Sequence, residues 1–170
     1  MKKIIALLLV LASVISFVGC RLSTLPEEMP EDFSFYVQWG VFGYSNYSSQ
    51  TGVLIKDIDL AGTGKYNTTY SLTQEELKKA YSIIRNLGIE SCPEEISPSE
   101  LQKSDPYCTF TIKATVNGES YSVTAKQASG FDAGRSIEAV RFLGAVKSLA
   151  KILTATEAWK ALPEVEALYY

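Results

Sequence analysis

Histidine is absent from the 170 residues, so the side chain most often used as a general base near neutral pH, and most often used to hold a metal, has no representative here. Few alternatives remain. Asp57 and Asp59 share one face of any extended segment that holds them, and a pair of carboxylates is the minimum equipment for acid and base work. Acids at the exposed end of a strand also serve merely as solubilising charge. Gly62-Thr63-Gly64-Lys65 has the look of the end of a phosphate loop. The match fails on chemistry: no earlier glycine stands at the required spacing, Tyr66 occupies the place of the magnesium-binding Ser or Thr, and no helical pattern follows. Cys92 and Cys108 are spaced unlike a CxxC redox pair, with no histidine to activate a thiolate. No catalytic set, metal site or cofactor is implied, and an enzyme working through its carboxylates stays the secondary reading.

Binding chemistry is better represented. On an extended strand Phe33, Phe35, Val37, Trp39 and Val41 fall on one face, a core face, while Tyr36, Gln38, Gly40, Phe42 and Tyr44 fall on the other. Continued through Tyr47, the second set makes this the most aromatic part of the chain. Tyr36, Phe42, Tyr44 and Tyr47 form a candidate binding face, because tyrosine suits a surface that is apolar on one side and wet on the other. Coverage by a helix or cross-strand pairing would explain the same rings. Ser129, Asp132 and Arg135 sit where a helix begins and could meet a small anion, although capping by Asp132 or Ser136 accounts for them more simply.

The chain opens with Lys2 and Lys3, runs through an apolar stretch from Ile4 to Val18 broken by Ser13 and Ser16, and closes it with Gly19-Cys20. That layout is an export signal, too short for a comfortable membrane span. Phe17-Val18-Gly19-Cys20 resembles the signal of bacterial lipoproteins, with Phe17 where that family usually carries Leu. The resemblance implies removal of residues 1–19, acylation of Cys20 with palmitate-type chains, and a body tethered on the extracytoplasmic side of the cell membrane or the outer membrane. Two or more acyl chains suffice for stable attachment. In such a compartment Cys92 and Cys108 are expected to join as a disulfide, closing a loop that would gain about 3 kcal/mol on the chain-entropy model.

The net charge of −3 includes Lys2 and Lys3, so the chain from Cys20 carries −5. An acidic, histidine-free body argues against a nucleic-acid partner, which requires a basic face. Residues 20–32, rich in proline and acid, read as an extended tether. Residues 33–170 hold enough chain for one globular domain.

Several elements must position the candidate residues. After the aromatic strand, Tyr44 to Gly52 reads as a hairpin loop, and Val53 to Ile58 as a second strand with Val53 and Ile55 on one face. Lys65 to Tyr70 is a third strand. Thr73 and Glu76 form a capping box, with Leu72 and Leu77 as a hydrophobic staple, and Gly88 stops the helix. A short helical turn is expected at Ser99 to Lys103. Asn117-Gly118 specifies a two-residue hairpin that pairs Val116 with Glu119, Ala114 with Tyr121, Ile112 with Val123 and Phe110 with Ala125. A second helix from about Ser136 to Leu153 buries Ala139, Phe142, Leu143, Val146, Leu149, Ala150 and Leu153. Trp159 and Leu162 then close one core edge, and Leu168-Tyr169-Tyr170 is apolar enough to dock. The order β-β-β-α-β-β-α predicts an α+β domain, antiparallel strands with two amphipathic helices on one face. One sheet or two remains open at this level. The layout, including Leu72-Thr73-Gln74-Glu75-Glu76-Leu77, resembles small bacterial lipoproteins, a resemblance that implies no activity. The anchor, the aromatic outer face and the lack of a catalytic set point to an envelope binding module for protein, peptide or glycan, with a passive part of an envelope assembly as the other reading.

Overall fold

A computed structural model describes residues 23–56 and 66–163. The signal with Cys20, the acids Asp57 and Asp59, the Gly62–Lys65 stretch and the final Leu168-Tyr169-Tyr170 lie outside the described residues. Six antiparallel strands form one sheet in the order β4-β3-β2-β1-β5-β6: β1 Ser34–Trp39, β2 Ser45–Ser48, β3 Val53–Ile55, β4 Asn67–Thr69, β5 Lys103–Val116 and β6 Glu119–Ala128. Helices α1 (Gln74–Leu87) and α2 (Ile137–Thr154) pack together on one face, followed by the short α3 (Glu157–Lys160). The α+β class holds, with one more strand ahead of α1 than the sequence pattern suggests. Among the described residues no helix is long and apolar enough to cross a membrane.

The two strand groups join because their core faces match. β1 pairs with β5, Phe35 opposite Ala114 and Val37 opposite Ile112, and directly opposed residues share a face. Phe35, Val37, Trp39, Ile112 and Ala114 are therefore buried together. The Asn117-Gly118 hairpin pairs as its turn requires, Val116 with Glu119 through Phe110 with Ala125. Asp32 adds a local lock, its carboxylate accepting from the amides of Asn117 at 3.0 Å and Gly118 at 2.6 Å.

The aromatic strand is shorter than its alternation implies. It stops at Trp39, and Gly40, Phe42 and Gly43 all take positive φ, turning the chain so that β2 forms within the stretch read as loop. In β3 Val53 and Ile55 share one face as expected, and it is the outer one: Leu54 points into the core, at 0% exposure against 38% for Val53. The reason is register, since Leu54 lies opposite Tyr47, which lies opposite Val37.

Both helices start and stop as their sequences dictate. Thr73 Oγ1 accepts from the Glu76 amide while Glu76 accepts from the Thr73 amide, and Gly88 ends α1 at φ 70°. Ser136 caps α2, whose buried residues include all seven anticipated. Arg141 of α2 donates to the carbonyls of Asn86 and Leu87 at 3.1 and 3.0 Å, tying α2 to orphan acceptors at the end of α1. The expected turn near Ser99 is a 3-10 turn at Pro98–Glu100.

Residues 23–32 do not behave as a spacer. Leu25 is buried, the Tyr81 hydroxyl donates to the Pro26 carbonyl at 2.6 Å, and Arg85 Nε donates to the Leu25 carbonyl at 3.2 Å. Glu90 fastens the start of this segment, its Oε1 accepting from Ser23 Oγ at 2.8 Å and the Thr24 amide at 2.6 Å. Docking wins because Leu25 and Met29 reach the core, and burial of apolar surface outweighs the repulsion of a few acids.

Two outcomes follow from this packing. Leu54→Ala is expected to cost about 2–5 kcal/mol in denaturant unfolding, and Val53→Ala within about 0.5 kcal/mol; the reverse ranking would put the wrong face of β3 inside. Burial acts to raise the pKa of Glu90, but hydrogen bonds from Ser23 and Thr24 outweigh it and hold the carboxyl below its ordinary value. A depressed folded pKa contributes stability above the unfolded value, about 4.3, and loses it as pH falls through the folded value. Thermal unfolding followed from pH 7 to 3 is expected to show a shallower acid-side decline for Glu90→Gln than for the parent.

Candidate functional site

The face of the sheet opposite the helices is polar and open. β1 contributes Ser34, Tyr36 and Gln38 to it, β5 contributes Thr111, Lys113 and Thr115, and β6 contributes Ser120, Ser122 and Thr124, as the registers require. Tyr36 stands at its centre, half-buried, with Lys113 Nζ 5.8 Å from its ring centroid. Burial pushes its phenol above the ordinary value. A shallow depression lies on each side of the Tyr36 and Lys113 pair. One, about 330 Å³, is bordered by Ser34, Ser48, Gln50, Ser120 and Ser122. The other, about 530 Å³, is bordered by Gln38, Thr109, Thr111, Thr124 and Lys126.

Hydroxyls and amides dominate both borders, and neither includes Asp, Glu or Cys. Some hydroxyls pair across strands, Thr111 with Thr124 and Thr115 with Ser120, each at 3.3 Å. A hydroxyl holds one proton and two lone pairs, so such pairs keep capacity for a polar ligand. With Tyr36, Lys113 and Lys126 among these hydroxyls and amides, this surface has the means to recognise a polar molecule.

The four aromatic candidates separate. Phe42 and Tyr44 do come together, centroids 5.7 Å apart, and Tyr107 joins them edge-on at 4.9 Å from Phe42. Phe42 holds φ 51° in the turn after β1, its amide donating to the Tyr107 carbonyl at 2.9 Å. Gln38 steadies the same turn by donating from Nε2 to the Gly43 carbonyl at 2.8 Å. Gly43 takes φ 74°, which strains any residue with a Cβ, and a Cβ there would also meet the Gln38 side-chain amide. Tyr36 stands apart from this group, two residues along β1 from Gln38. Tyr47 leaves the face altogether: at 1% exposure it packs in the core against Phe35, its hydroxyl donating to the Tyr70 carbonyl at 3.0 Å. Tyr47 keeps the parity of Phe35, Val37 and Trp39, opposes Val37 and shares its inward side. Tyr107, absent from the sequence candidates, lies before Cys108 in a stretch whose prolines and charges hide the start of β5.

Cys92 and Cys108 are not joined. Cys92 ends a 3-10 turn after α1, its thiol donating to the Gly88 carbonyl at 3.6 Å. The chain then runs parallel to β6 with Glu95 beside Thr124, whereas Cys108 lies opposite Ala128. The stretch from Thr124 to Ala128 alone covers about 13 Å at the usual strand rise, well beyond the roughly 7 Å between Cα atoms that a disulfide tolerates. The helix-start residues serve structure: Asp132 pairs with Lys147 at 3.3 Å, and Ser136 caps α2.

The class these features define is an α+β domain with one sheet face covered by helices and the other presented as a hydroxyl-rich surface. No protein family matches the chain, and no curated protein matches it.

At the rim of the smaller depression, the Tyr121 hydroxyl donates to Glu119 Oε2 at 2.7 Å. That bond, with burial, pushes the phenol up to about 12. In a ring-labelled NMR titration Glu119→Gln is expected to return Tyr121 toward about 10, with the Tyr36 titration unmoved.

Proposed function

We propose that this chain is a lipid-anchored cell-envelope protein whose open sheet face binds a glycan without altering it chemically. The observation that carries the binding half is the lining around Tyr36: an aromatic ring among Ser, Thr and Gln side chains, free of carboxylates. A sugar ring offers C–H groups to an aromatic face and hydroxyls to polar neighbours. The mixed apolar and polar character of tyrosine suits that pairing. The anchor half is supported by the sequence layout ending in Gly19-Cys20, whose expected product begins at an acylated Cys20 in the cell membrane or the outer membrane, with the body on the extracytoplasmic side.

Purified mature protein applied to an array of envelope polysaccharides is expected to bind at least one of them. Tyr36→Ala should weaken that binding about tenfold, the scale of one lost aromatic contact, with an unchanged circular dichroism spectrum. Equal binding by Tyr36→Ala would sink the reading. Loss on Phe42→Ala alone would move the site to the Phe42, Tyr44 and Tyr107 group and favour a peptide. For the anchor, the intact mass of native membrane-extracted product should equal the chain from Cys20 plus acyl groups, and an unmodified cysteine there would overturn it.

A further inference from the structure

The outward stripe of α2 differs from the rest of this acidic chain. Ile137, Val140, Gly144, Lys147, Ser148 and Lys151 recur at three- and four-residue spacing and are all exposed. Ile137 is 82% exposed and Val140 56%, the most exposed large apolar side chains among the described residues. The sequence from 132 to 154 holds four cations, Arg135, Arg141, Lys147 and Lys151, and two acids, Asp132 and Glu138, while the whole chain has 16 cations to 19 acids. Glu100 adds one carboxylate at the start of the helix, accepting from Ser136 at 3.1 Å. Asp132 engages Lys147, and Arg141 reaches the α1 carbonyls. Arg135 and Lys151 form no ion pair among the described residues.

The same end of the molecule receives the N-terminal segment. Ser23 and Thr24 are fastened to Glu90 just beyond the C-terminal end of α1, and Arg141 ties the start of α2 to that end. Ser23 follows Cys20 by three residues, which reach at most about 11 Å when fully extended. A lipid on Cys20 would therefore hold this end of the body close to the bilayer.

We infer that the exposed stripe of α2 is a lipid-contacting face that lies on an anionic bilayer surface, Ile137 and Val140 entering the headgroup region and Arg135, Lys147 and Lys151 meeting phosphates. Basic residues near such a surface are attracted to it, and apolar side chains beside them add burial. The orientation rests on the acyl anchor proposed above; the affinity of the stripe for lipid does not.

Nitroxide labels at Ser148 and, on the open sheet face, at Ser122 separate the possibilities, in a mature chain whose Cys92 and Cys108 are replaced by serine and whose fold is checked by circular dichroism. With mass-verified acylated protein in phosphatidylglycerol and phosphatidylethanolamine vesicles, the Ser148 label is expected to lose accessibility to a water-soluble relaxation agent while the Ser122 label keeps it. Equal accessibility at the two sites would overturn the inference. The unacylated Cys20→Ser chain, added to phosphatidylglycerol vesicles at low salt, should still bind. Substituting Lys147→Gln with Lys151→Gln should weaken that binding at least about tenfold, given roughly fivefold per cation. An unacylated native product together with vesicle binding would defeat the anchor and leave the lipid face standing. No binding by the Cys20→Ser chain, or binding indifferent to the two lysines, would defeat the lipid face whatever the state of Cys20.

Discussion

The pairing of β1 with β5 is the constraint on which the rest of the structure depends. It joins a four-strand meander to a long hairpin, and its register places Val37 against Ile112 and Tyr36 against Lys113. Side chains alternate across a strand, so a shift of one residue would carry Phe35, Val37 and Trp39 to solvent and Tyr36 and Gln38 into the core. The covered face and the open face are thus one decision. Glycan recognition by Tyr36, on the reading proposed above, requires nothing beyond the hydrophobic pattern that builds the core.

The helices depend on that decision in turn. Phe142, Leu143 and Val146 of α2, with Ala80 and Ile84 of α1, are buried because the sheet offers them a continuous apolar surface; neither helix would bury its stripe alone. Polar groups then fix details that apolar contact leaves free. Arg141 satisfies two carbonyls at the end of α1, Glu90 gathers Ser23 and Thr24, and Asp32 meets the hairpin turn. Each brings together residues far apart in sequence, which gives specificity to a pile of layers that hydrophobicity alone would hold loosely.

Legibility in the sequence followed the number of independent signals at each place. The β5–β6 hairpin could be read to the residue because Asn117-Gly118 and the alternation of Phe110, Ile112 and Ala114 demand the same register. Both helix starts were legible because capping is local chemistry. The turn after β1 was not: Val41 continues the apolar period numerically, and Phe42, a residue that disfavours positive φ, occupies one of the bends. That missed turn hid β2, whereas Tyr47, spaced by even steps from Val37, already had the inward parity and was grouped with the outer rings for its chemistry rather than its spacing. Tyr36, upstream of the turn, kept its predicted face. The Cys92 and Cys108 pairing rested on compartment alone, which says nothing of distance. The docking of residues 23–32 escaped notice because composition weighed the acids and prolines while Leu25 and Met29 decided the outcome.

A chain this acidic would ordinarily be pushed from an anionic bilayer, so the placing of its cations matters more than their number. Screening confines electrostatic attraction to about 8–10 Å at physiological salt, so the charges nearest the lipid govern the contact. The stripe of α2 has a cationic excess beside the entry of the N-terminal segment, on the layer opposite the open sheet face. With that stripe toward the lipid, the surface around Tyr36 would look away from it, which is the arrangement that a tethered receptor for an envelope glycan needs. Were the cations spread evenly, an acyl anchor of the kind proposed above would leave the body free to turn, and the same sheet face would spend part of its time occluded by the membrane.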